Sequence, residues 1–162
     1  MGCCNSGEAG STPVSEMKPG VCTGCKAPGQ TVKIRTLKQW LATGLVPDIP
    51  EISFYFCRTR ECPIVYFSED GSVRYTKEQL RFKVGLKETV GPIPLCYCFG
   101  VTDEMIMKEI EETGRSSFST WIAAETKKGN CACDVRNPSG RCCLADVKGA
   151  EKAYRIKNEA AR

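Results

Sequence analysis

Cysteines that could act together come in two groups, and their spacing separates them. Cys22 and Cys25 form a C-x2-C pair in VCTGCK, and Cys57 and Cys62 form a C-x4-C pair after 31 intervening residues. A C-x2-C knuckle folds back and aims two thiolates at one point, and a short turn between strands does the same for the looser pair. Two such pairs make a closed four-sulfur set, the donor chemistry of structural zinc. A redox C-x-x-C of thioredoxin type needs a βαβ setting, and the flanking residues carry no such pattern. Cys22, Cys25, Cys57 and Cys62 are the expected zinc ligands.

The second group begins with Cys96 and Cys98, which flank Tyr97 in PLCYCFG. It ends in CACDVRNPSGRCC, four cysteines within residues 131–143. A C-x-C hook can set two sulfurs on one iron where the chain turns. The residues that follow, FGVTDEMI, supply a turn and a helix start, whose N–H groups favour an anionic thiolate cluster. Cys143 holds the matching place before a later helix. Which of Cys131, Cys133, Cys142 and Cys143 complete the set is not decided by spacing alone. Cys3 and Cys4 are adjacent, so their side chains diverge in an extended chain and chelate poorly, although thiolates suit Cu(I) and Hg(II).

With 12 Cys and no His, any transition-metal site must be built almost wholly from sulfur. The same lack removes Ser–His and Cys–His nucleophilic couples, and no phosphate-binding glycine loop is present. The chain is therefore not expected to be a hydrolase or a group-transfer enzyme. Its formal charge of +4 counts cysteines as neutral. Metal–thiolate sites are net negative, so filling both groups brings the chain near neutrality. Lys and Arg are also scattered rather than striped, and no nucleic-acid partner is expected. No charged start followed by an apolar run and cleavage site opens the sequence. No apolar run is long enough for a membrane span. The expected compartment is the reducing cytoplasm, where clustered cysteines bind metals rather than form disulfides.

These sulfurs need elements to hold them. Residues 1–19, rich in Gly, Ser and Pro, read as a disordered arm. Residues 20–92 mix strands with short helices. TLKQWLATG carries a capping-box pattern, Thr36 to Gln39, with Leu37, Trp40 and Leu41 on one face and Gly44 as a stop. ISFYFC and CPIVYF read as strands, and Asp70-Gly71 as the turn into SVRYT. GPIP, with Pro92 and Pro94, reads as the linker to residues 93–162, where the pattern becomes helical. There Thr102 caps a helix with Ile106 and Ile110 inward and Gly114 at its end. A second helix starts near Ser117, with Phe118, Trp121 and Ile122 inward and Gly129 as its stop. A third follows Cys143. The expected fold is α+β: a small zinc-bound β-rich module, then a helical module.

CYCFGVTDEMI resembles the start of the bacterioferritin-associated ferredoxins, small helical 2Fe–2S modules. The longer pattern is YFCRTRECPIVYFS, VGLKE, PLCYCFGVT and NPSGRCCL. It resembles the N-terminal domain of CopZ-type copper chaperones across roughly residues 20–150. That resemblance implies a zinc site joined to a 2Fe–2S centre, the latter on Cys96, Cys98, Cys133 and Cys143. Cys133 and Cys143 bracket a nine-residue loop in which Asn137, Pro138 and Gly140 can turn the chain back. Neighbouring Cys142 and Cys143 cannot easily both reach one iron. The rival ligand is Cys131, which follows Cys98 after 32 residues, a spacing nearer that of simple ferredoxins.

Two functions follow from these residues. One is a metallochaperone for copper or another soft metal, its cluster donating an electron to reduce Cu(II) to Cu(I). Its partners would be a soft-metal transporter or a separate copper-binding domain, with Cu(I) as a further bound metal. The other is a ferredoxin-like electron carrier without metal cargo. If the two modules are independent, losing Cys57 should unfold residues 20–92 and leave the second cysteine set intact.

Overall fold

The structure, a computed structural model, describes residues 20–161. The expected arm over 1–19, with Cys3 and Cys4, lies outside them. Four short strands form one antiparallel sheet: β1 (Gln30–Val32), β2 (Phe54–Phe56), β3 (Ile64–Ser68) and β4 (Arg74–Thr76), in that spatial order. The pleat sends Phe54, Phe56 and Tyr66 to one side, where they pack with Val32 and with Leu37 and Trp40 of α1 (Ile34–Trp40). Tyr55 and Phe67 stack 5.6 Å apart on the opposite face, where the first cysteines gather. β3 is buried along its whole length because both its faces are covered. Asp70 and Gly71 make the turn into β4, with Gly71 at φ 70° and Asp70 accepting from Ser68 Oγ and Ser72 N.

The remainder is helical. A small hairpin, β5 (Pro94–Cys96) and β6 (Val101–Thr102), leads into α2 (Asp103–Thr113). Thr102 Oγ1 accepts from Met105 N at the start of α2, and Gly114 ends it at φ 80°. Then come α3 (Phe118–Lys127), the single turn α4 (Cys133–Arg136) and α5 (Leu144–Ala160). Val101, Ile106, Ile110, Ile122 and Val147 form their common core. The α+β order, sheet first and helices second, is the expected one. No helix of the described residues is long and apolar enough to cross a membrane.

Three local expectations are corrected. Thr36 does not cap α1. The helix begins two residues earlier, and the buried Thr36 hydroxyl is drawn away to a distant carbonyl, that of Asp134, at 2.7 Å. The helix also stops at Trp40, where Leu41 bridges to Leu80, so Gly44 sits in the following 3-10 turn (Thr43–Asp48) rather than at a helix end. Trp121 does not face inward but is 46% exposed, edge-on to Phe99 at 5.1 Å. Hydrogen bonds from Ser116 Oγ and Ser119 N to Glu151 of α5 set the rotation of α3, so Ser119 and Ile122 become its buried stripe. The GPIP segment is itself ordered. Pro94 opens β5, and Ile93 N and O are both bonded to Asp103, through its carboxylate and its N–H.

Candidate metal centres

The first knuckle is a tight loop closed at its base by Gly29 N to Gly20 O at 2.7 Å. Inside it, Cys22 N donates to Ala27 O and Lys26 N to Cys22 O, both at 2.9 Å. Lys26 takes a left-handed φ of 61° to finish the turn. The opposing pair stands at the base of the β2–β3 hairpin. Cys57 directly follows β2, its N–H continuing the ladder to Val65 O, and Cys62 N closes a turn onto Thr59 O. All four sulfurs lie within 4.8 Å of one another, with Cys22–Cys62 at 3.9 Å and Cys25–Cys57 at 3.6 Å. A tetrahedral zinc–thiolate site has sulfur–sulfur edges of about 3.8 Å. The set therefore fits one zinc ion.

Several residues that sequence reading missed shape this pocket. A Cβ on Gly24 would stand 2.9 Å from Ile64 Cδ1 and 3.3 Å from Cys62 Sγ, so the loop approaches that closely only as glycine. Thr59 Oγ1 is 3.2 Å from Cys25 Sγ. Burial opposes ionisation of Cys25, but hydrogen bonds led by Thr59 bring its thiol down to about 6. Burial pushes the Cys57 thiol up to about 12, against the pull of the Thr59 backbone and the Lys87 charge. Lys87 is itself buried, its Nζ donating to the carbonyls of Thr59 and Cys62. A buried cation beside four sulfurs offsets the negative charge of a metal–thiolate site. The C-T-G-C spacing could have flagged Gly24. Nothing local marked Lys87, which comes from a 3-10 turn (Gly85–Lys87) 25 residues beyond Cys62.

The second set is arranged differently. Cys96 ends β5, Cys98 lies in the turn of the hairpin, Cys133 opens α4 and Cys143 caps α5. The short strand β6 stands between the C-x-C hook and α2, which starts after its expected cap, Thr102. Among the described residues no three of these sulfurs fall within 4.8 Å of one another. The close sulfur contact instead joins one hook cysteine to one downstream. Cys98 Sγ is 3.6 Å from Cys133 Sγ and accepts from Ala132 N at 3.4 Å. Cys96 and Cys143 are both buried in the common core of the helices. The Cys143 thiol brings the Cys96 thiolate down to about 6, and Cys143 itself is driven upward by that bond and by burial. Burial and then the contact with Cys98 raise Cys133. Cys131 is half-buried and Cys142 exposed.

Residues 19–81, which include all four cysteines of the first set, match a family model of the CopZ type described as a zinc-binding domain. The chain thus carries a CopZ-type zinc-binding domain. It is 37% identical over 122 residues to the copper chaperone CopZ of Archaeoglobus fulgidus. The match covers 75% of this chain and 57% of that protein, so the chain spans little more than half of its relative's length. The crystal structure of the N-terminal domain of A. fulgidus CopZ aligns with a TM-score of 0.66 at 33% identity. That alignment covers 79% of this chain and 95% of the solved domain. The chain belongs to the family of CopZ N-terminal domains.

Proposed function

We propose that this chain is the zinc- and 2Fe–2S-bearing part of a copper-trafficking protein working in the reducing interior of the cell. Cys22, Cys25, Cys57 and Cys62 hold zinc as a structural ion. Cys96, Cys98, Cys133 and Cys143 hold the cluster. The observation that carries this reading is the contrast between four sulfurs meeting at one point and a wider set in which Cys98 and Cys133 close to 3.6 Å and, among the described residues, no third sulfur joins them. One point suits a single ion, and a set spread wider than one point suits a dinuclear centre in which each iron takes two thiolates. When bound, the cluster would supply one electron, the amount that converts Cu(II) to Cu(I). Around it the chain provides N–H donors, from Ala132 to Cys98 Sγ and from the first turn of α5 beside Cys143. Exposed Cys142 and half-buried Cys131 leave soft donors next to the cluster for incoming copper. The partner is a copper transporter or a separate copper-binding domain, and the resident metals are not there for turnover.

Metal analysis of anaerobically purified protein should find about one zinc, two iron and two acid-labile sulfides per chain. Reduced protein mixed under argon with Cu(II) held on a chelator should lose its reduced-cluster spectrum as Cu(I) appears. Protein that stays colourless and iron-free after reconstitution rejects the second site. A cluster that small oxidants reoxidise but chelated Cu(II) does not, together with no Cu(I) bound on anaerobic loading, moves the chain to a plain electron carrier.

A further inference from the structure

We propose that the sheet is the template on which the second cysteine set is assembled, so that zinc at the first site is a precondition for a stable cluster at the second. The inference rests on the reading that the second set holds a 2Fe–2S centre.

Both halves of that set are gripped by residues whose position the first site fixes. Downstream, three side chains of the sheet module donate to carbonyls lying between Cys133 and Cys143. Tyr66 Oη donates to Pro138 O at 2.7 Å, Thr36 Oγ1 to Asp134 O at 2.7 Å, and Gln30 Nε2 to Ser139 O. All three donors are buried, so each bond satisfies a group that has no access to water. An ion pair between Arg35 and Asp134 adds to this contact. Upstream, Gly85 N donates to Tyr97 Oη at 2.8 Å, inside the C-x-C hook. The Gly85 backbone passes so near Pro94 that a Cβ would lie 1.9 Å from Pro94 O.

The link to zinc is equally direct. Gln30 and Tyr66 are the two cross-strand partners of Phe56, the residue immediately before Cys57. Register at the hairpin base therefore sets both donors at once. The turn carrying Gly85 ends in Lys87, whose Nζ is bonded to the carbonyls of Thr59 and Cys62 within the C-x4-C loop. A metal holding Cys57 and Cys62 together thus holds the grips on Tyr97 and on the 134–139 carbonyls. Without it, the nine residues between Cys133 and Cys143 keep only their own short turns, such as Asn137 N to Cys133 O and Gly140 N to Asn137 O, and the cluster must supply the rest of their order.

The experiment uses the full chain and two approaches. Tyr66→Phe with Thr36→Val removes two grips and touches no cysteine. With zinc still bound, cluster iron should pass to a strong chelator on the order of twentyfold faster than from wild type, as two lost hydrogen bonds predict. Release within about twofold of wild type at full zinc content overturns the template. Second, metal-free wild type is supplied with iron and sulfide, with or without zinc, and the cluster is counted by its visible and EPR spectra. Cluster formation should require zinc. Equal yield and equal chelator resistance without zinc overturn the template while leaving the cluster reading intact. Zinc-loaded wild type that takes up no iron and sulfide removes the cluster reading and the template together.

Discussion

The two cysteine sets draw on one donor type and differ in where their partners lie along the chain. In the first, each close contact joins a knuckle cysteine to a hairpin cysteine, Cys22 with Cys62 and Cys25 with Cys57, and all four sulfurs share one point. In the second, Cys98 meets Cys133 far downstream, Cys96 and Cys143 share the buried helical core, and among the described residues no three of these sulfurs gather at one point. The knuckle and hairpin are each closed by their own backbone hydrogen bonds. The 133–143 loop, besides its own short turns, leans on side chains of β3 and α1. Local closure makes a site legible and self-contained, whereas borrowed closure makes it dependent.

The comparison can be broken most forcefully at the first set. Cys57→Ser should reduce zinc to below about a tenth of an ion per chain and melt the sheet, since structural zinc supplies on the order of 10 kcal/mol to folds of this kind. Circular dichroism and zinc analysis check it. If the dependence holds, the cluster spectrum is lost too, opposite to the outcome expected of two independent modules. Next in size is a contrast within one sequence neighbourhood. Cys143→Ser should leave background iron, while Cys142→Ser keeps wild-type iron and sulfide, because Cys143 is buried against Cys96 and Cys142 is exposed.

Smaller effects sharpen the picture of the first site. Lys87→Met keeps the length of the buried side chain but leaves the Thr59 and Cys62 carbonyls without their cationic donor. It should cost about 2–3 kcal/mol in denaturant unfolding of the zinc-loaded chain. Gly24→Ala should weaken zinc roughly tenfold in competition with a chromogenic chelator, since the new methyl presses on Ile64 Cδ1 and Cys62 Sγ. An unchanged affinity would show that the knuckle can retreat without loss.

What the sequence made legible was whatever neighbours settle among themselves. The C-x2-C knuckle, the Asp70-Gly71 turn and the helix from Thr102 to Gly114 are each specified within a dozen residues, and each stands where its pattern put it. Thr36 and Gln39 carry a good capping pattern, yet Thr36 answers to Asp134, 98 residues away. The pattern does operate elsewhere, between Thr76 and Gln79, where no distant partner competes. Trp121 satisfied the helical period, but Glu151 chose which side of α3 turned inward. Lys87 and Tyr66 had no local signature at all, because a buried cation and a buried phenol are defined only by the carbonyls they meet.

The placement of the two tryptophans gives the protein an optical reporter of its own. Trp40 is enclosed between Phe82 and Tyr97, with ring centroids at 5.7 and 5.2 Å, at the seam between the sheet and the C-x-C hook. Trp121 stands half in solvent on the far helix. With Trp121 replaced by phenylalanine, the single remaining indole would emit toward the blue and resist a dissolved quencher while the seam is closed, and would shift red once it opens. Fluorescence could then time the closing of that seam during metal loading, before any colour from iron develops.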